Sequence, residues 1–142
     1  MGTRRVARER ALQALYQETV VEATPAAEAL FWQHFDADAE AGTFARELVA
    51  GVRERRPQID QLLTDAVEHW QLDRLSRVDL SLLRLAVYEL MARPEIPYSV
   101  TINESVEIAR RFGSGDSPAF VNGVLDRVAR MLGLKHDGAE RP

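Results

Sequence analysis

Val78-Asp79-Leu80-Ser81-Leu82-Leu83-Arg84-Leu85-Ala86-Val87-Tyr88-Glu89-Leu90-Met91 decides the fold of this chain. Val78, Leu82, Leu83, Leu85, Ala86, Val87, Leu90 and Met91 cover most of a helix circumference, so other helices must surround this one. Ser81, Arg84 and Glu89 interrupt it, so it does not read as a membrane span. Pro94 and Pro97 end it and impose an extended connection.

Towards the C-terminus, Thr101-Ile102-Asn103-Glu104 fits a capping box, with Ile102, Val106 and Ala109 facing inward behind it. Gly113 is expected to close that helix in a left-handed cap. Ser117-Pro118 opens the last helix, whose inner stripe is Val121, Val124, Leu125, Val128 and Leu132. Towards the N-terminus, a short piece at Leu72 to Leu75 follows a helix that starts at Pro57 and turns Ile59, Leu62, Leu63, Ala66, Val67 and Trp70 inward. Phe44, Leu48, Val49 and Val52 mark an earlier helix, behind a polar break from Asp36 to Glu40. Thr24-Pro25 opens a helix towards Phe35, and Thr3 can cap a first helix with Leu12, Leu15, Tyr16 and Thr19 as its apolar stripe. No run shows clean strand alternation. The pattern predicts an all-α single domain of six to eight helices over residues 1–134, followed by a tail, 135–142, with little to bury.

The totals agree with this frame. A chain of 142 residues with 46% hydrophobic residues can bury a core without staples, and it has no cysteine for a disulfide or thiolate metal site. The N-terminus lacks the apolar core of a secretory signal, and no apolar run is long enough for a bilayer, so a soluble cytoplasmic protein is expected. The net charge of −4 argues against a generic nucleic-acid binder. Its distribution qualifies that argument. Arg4, Arg5, Arg8 and Arg10 face only Glu9 in the first twelve residues, whereas residues 18–47 are strongly acidic. A short basic end beside an acidic body suggests one localised anion site.

Chemistry of the catalytic kind has little to stand on. His34, His69 and His136 are scattered, so no metal site is expected, and no serine has a base in sequence reach. Phe112-Gly113-Ser114-Gly115-Asp116-Ser117 lacks the lysine and preceding strand of a nucleotide-binding loop. No catalytic residue and no cofactor are expected.

Asn122-Gly123 is harder to explain. Asparagine is a poor helix-interior residue, and glycine costs a helix roughly 1 kcal/mol relative to alanine. One reading is close helix packing over Gly123, with Asn122 bonding a loop carbonyl. The other has Asn122 and the loop offering polar edges to bases, with Phe120 available for stacking, as single-stranded RNA is read. The arginines are equally two-sided: they oppose the macrodipole of a first helical turn, which a phosphate partner would explain, but a solvated basic end is common.

Four segments in order resemble the NusB family. They are Arg4-Arg5-Val6-Ala7-Arg8-Glu9 with Ala11-Leu12-Gln13-Ala14-Leu15-Tyr16; Leu83-Arg84-Leu85-Ala86-Val87-Tyr88-Glu89-Leu90; Ile96-Pro97-Tyr98-Ser99-Val100-Thr101-Ile102-Asn103-Glu104; and Phe120-Val121-Asn122-Gly123-Val124-Leu125-Asp126. The resemblance implies two packed helical subbundles and a transcription antitermination factor that binds boxA-type RNA with the ribosomal protein NusE. It implies a place in the RNA polymerase antitermination complex at ribosomal RNA operons, and relatives include homodimers. By position, Arg4, Arg5 and Arg8 on the first helix would serve phosphates, and Phe112, Asp116, Phe120 and Asn122 would line the base-contacting edge. Tyr88 and Glu89 would face the ribosomal protein. Ser117-Pro118-Ala119 departs from the family by carrying no basic residue, which would weaken RNA contacts. An RNA-modifying enzyme is disfavoured, because the sequence holds no second domain with a cofactor loop. A pure interaction or dimerisation module would use Phe31, Trp32 and Phe35, whose spacing suits a core equally well.

Overall fold

The computed structural model describes residues 3–22, 24–34, 39–67 and 71–135. Phe35, Trp70 and the tail from 136 onward lie outside them, and so do the roles assigned to those residues above. The described helices are α1 (Thr3–Val20), α2 (Pro25–His34), α3 (Ala39–Glu54), α4 (Arg56–Ala66), α5 (Arg77–Ala92), α6 (Tyr98–Phe112) and α7 (Ser117–Met131), with a 3-10 turn at Leu72–Arg74. No strand occurs among the described residues.

α5 is the axle. Ser76 Oγ accepts the Asp79 N–H at 3.0 Å and starts it. Leu82, Leu83, Leu85, Ala86 and Val87 are then almost fully buried, as their all-round pattern requires. One face of α5 meets α1 and α3, and others meet α4, α6 and α7, which divides the molecule into two subbundles sharing one helix. In the first, Thr24 Oγ1 caps α2, and Phe31 and Trp32 turn inward with their rings edge to face at 4.9 Å. Phe31 and Trp32 therefore belong to the core. In the second, α6 and α7 pack along their length through Ile102, Ile108, Val121, Leu125 and Val128.

Three local expectations are corrected. α6 starts at Tyr98, because the Pro97 carbonyl accepts the Val100 and Thr101 amides. Thr101 is thus inside the helix and hydrogen-bonds Glu89 instead of capping. Gly113 has φ −96°, not a left-handed value; it is glycine because a Cβ there would come within 2.5 Å of Ser117 Oγ. Tyr16, read as part of the core stripe of α1, is 39% exposed, and Ala7, Ala11, Leu12, Ala14 and Leu15 form the buried face. Among the described residues the left-handed glycine is Gly133 at φ 78°, which closes α7 as its amide reaches Arg130 O while that of Leu134 reaches Ala129 O.

Candidate nucleic-acid interface

The basic end of α1 lies against α6, and carboxylates organise it. Arg5 holds Glu104 bidentately, with Nη2 to Oε2 at 3.0 Å. That bond keeps the Glu104 carboxyl below its ordinary range, against the opposing effect of burial, and keeps the Arg5 guanidinium charged. Arg4 is exposed, with its guanidinium 5.0 Å from the centre of the Phe44 ring. One turn further on, Glu9 of α1 receives Arg111 of α6.

Arg8 does not share this surface. It is 3% exposed, and its Nε and Nη2 reach Glu89 Oε2 and Oε1 at 2.7 and 2.8 Å, with Glu89 itself 1% exposed. Thr101 Oγ1 donates to the same carboxylate at 3.3 Å. The expectations for Arg8 as a phosphate contact and Glu89 as a partner contact both give way. Each is buried by the other, since an ion pair in the interior must satisfy its own charges. Tyr88, their neighbour, is half-buried and packs its ring over Gly51 of α3, so closely that a Cβ there would lie 2.2 Å from Tyr88 Cζ.

The other expected edge stays open. Phe112 ends α6 half-buried, and Asp116 stands exposed at the N-cap position of α7 without a side-chain cap bond. Its carboxylate suits the positive helix end but would repel a phosphate, so Asp116 is fit to accept a hydrogen bond from a base edge. Phe120 is half-buried, and Asn122 and Gly123 are exposed on the same helix. A Cβ on Gly123 would meet nothing within 4 Å. Close packing therefore does not explain this glycine. The loop before the helix is fixed from below: Ser117 Oγ donates to Asp79 Oδ1 at 2.7 Å and accepts the Ser114 amide at 3.0 Å.

Leu12, Gln13, Tyr16, Val20, Val21, Phe31, Val78 and Phe112 line an open, mainly apolar groove of about 510 Å³ between α1, α2 and the start of α5. Tyr16, Val20 and Val21 expose apolar surface at the end of α1 and just beyond it. Phe112 belongs both to the groove and to the loop edge, so the two surfaces are continuous. Among the described residues no acidic or histidine cluster could hold a metal, and no helix is long and apolar enough to cross a membrane.

A helical body with a charged seam, an exposed polar helix edge and an adjoining apolar groove defines the class: a helical module built to bind macromolecules. The chain belongs to the NusB family, whose model matches residues 5–130. It is 53% identical over 138 residues to transcription antitermination protein NusB of Myxococcus xanthus, covering 93% of this chain and 98% of that one. It is 48% identical over 134 residues to its counterpart in Geobacter sulfurreducens, at 93% and 97% coverage. Among solved structures, NusB of T. maritima superposes with a TM-score of 0.80 at 40% identity over 89% of this chain and 90% of that one. Antitermination factor NusB, solved with NusE and double-stranded RNA, superposes with a TM-score of 0.80 at 24% identity, covering 91% of this chain and 97% of that one, and shares the fold.

Proposed function

We propose that this chain is a non-enzymatic, cytoplasmic transcription antitermination factor that binds boxA-type single-stranded RNA together with the ribosomal protein NusE. In that role it would join the RNA polymerase antitermination complex and promote transcription of ribosomal RNA operons. The observation that carries the reading is Asn122-Gly123: two helix-weakening residues exposed in mid-helix, with open space above the glycine. The fold has no use for them there, whereas a ligand lying against α7 does. Asp116 and Asn122 offer hydrogen-bonding groups to base edges, and Phe120 and Phe112 offer rings. Arg4 and Arg5 supply charge for phosphates. The apolar groove beside Phe112 is the surface for NusE, in place of Tyr88 and Glu89, and a partner there would touch RNA bound at the loop edge. Self-association would compete for the same apolar surface.

The test is fluorescence anisotropy of a labelled boxA-like RNA against a scrambled control, with and without NusE, at low and moderate salt. The expected result is preference for boxA, tightening with NusE, weakening as salt rises, and loss in Phe120→Ala. Equal weak binding to both RNAs under every condition would overturn the reading and leave a helical interaction module.

A further inference from the structure

We infer that Arg111 is a phosphodiester-binding residue, joining the arginines of α1 to the exposed edge of α7. The inference rests on the RNA-binding reading and adds a cation that neither the sequence motifs nor the resemblance assigned. Its side chain is 67% exposed, yet its guanidinium is held from two sides. Nη1 reaches both Glu9 oxygens, at 2.9 and 3.0 Å, and Cζ lies 5.1 Å from the centre of the Phe112 ring. An exposed arginine normally loses rotamer freedom when it takes up a ligand, and here these two contacts already restrict it. Nε and Nη2 have no partner among the described residues, so a charged fork remains available beside the bond to Glu9.

Position supports the same role. Glu104, which holds Arg5, precedes Arg111 by two turns of α6, about 10 Å along the axis. The next residue, Phe112, lines the groove and adjoins the loop. Arg111 thus stands on α6 between the Arg5–Glu104 pair and the loop that leads to Phe120, and it neutralises the Glu9 carboxylate there. Arg111 thereby offsets the missing basic residue at Ser117-Pro118-Ala119. Arg110 is the natural comparison: it is 60% exposed, but its pairing is a 3.6 Å contact with Glu107 on its own helix.

The experiment is a salt titration of boxA-like RNA binding, in the presence of NusE, for the wild-type chain, Arg111→Ala, Arg110→Ala and Glu9→Gln. Circular dichroism confirms that each variant is folded. Arg111→Ala is expected to weaken binding by roughly 3–10-fold at low salt and to flatten the slope of log K against log salt by about 0.7, one phosphate contact on a single strand. Arg110→Ala should stay within about twofold, and Glu9→Gln, which keeps the arginine but loosens its clamp, should lose less affinity than Arg111→Ala and keep the wild-type salt slope. An unchanged slope in Arg111→Ala would overturn the assignment while leaving the RNA reading intact. An equal loss in Glu9→Gln would also overturn it, by making the Glu9–Arg111 bond a structural one. No RNA preference in the wild-type chain would overturn the underlying reading, and this inference with it.

Discussion

Gly51 and Gly123 both interrupt long helices, and alike they cost helix stability, but their surroundings are opposite. At Gly51 the seam between α3 and α5 has no room: the Tyr88 ring occupies the space a Cβ would need. At Gly123 the outer face of α7 is open, with nothing within 4 Å. The same residue type therefore marks an internal fit in one region and an external one in the other. The charged residues divide likewise. Arg8 and Glu89 satisfy each other inside, whereas Arg5, Arg111 and Asp116 line the surface.

The largest effect should come from breaking the inside. Glu89→Ala leaves Arg8 charged and buried, and is expected to cost about 3–5 kcal/mol, a fall in Tm on the order of 10 °C by calorimetry. Arg8→Met with Glu89→Leu should recover most of that loss, and failure to recover would show that the pair itself holds α1 on α5. Next come the two glycines, measured by urea denaturation. Gly51→Ala should destabilise by about 1–3 kcal/mol and turn neutral or stabilising in a Tyr88→Ala background. Gly123→Ala should stabilise the chain by up to about 1 kcal/mol. If Gly123→Ala instead destabilises, the open-face contrast fails.

The smallest effect concerns the seam between α1 and α6. The Glu104 carboxyl is held low by Arg5, so it binds protons less readily folded than unfolded. Its contribution is present above the ordinary glutamate value of about 4.3 and is lost as pH falls through the lowered one. Both partners are partly exposed, which limits it to below about 1 kcal/mol. Glu104→Gln should therefore lower Tm slightly at neutral pH and not near pH 3, and an equal loss at both would sink the assignment.

The helical frame was legible because it follows from local pattern. The all-round apolar run of α5 could only be central, and Thr24-Pro25, Pro57 and Pro94 placed helix ends within a residue or two. Exposure was legible for Asp116 and Asn122, which stay at the surface as polar residues at a helix start and on an outer face do. Arg8 was misread because charge suggested solvent, yet the clue was present. It sits one turn before Leu12 on the same stripe, and Glu89 is its counterpart on a helix whose apolar residues cover most of the circumference. Two opposite charges on two buried faces point to each other. Arg111 gave no such signal, since its fixed geometry depends on Glu9, far away in sequence. Gly113 likewise looked like a left-handed cap because nothing local reveals the approach of Ser117.

That approach has a thermodynamic consequence. Ser117 is 1% exposed, and one hydroxyl fills the space over Gly113, takes the Ser114 amide and ties α7 to Asp79 at the start of α5. The loop from Gly113 to Asp116 is thereby set when the chain folds. An arriving strand need not order it, so little of the association entropy goes to the protein side of the contact. In a calorimeter, Ser117→Ala should shift the balance between heat and entropy of RNA binding more than it shifts the affinity.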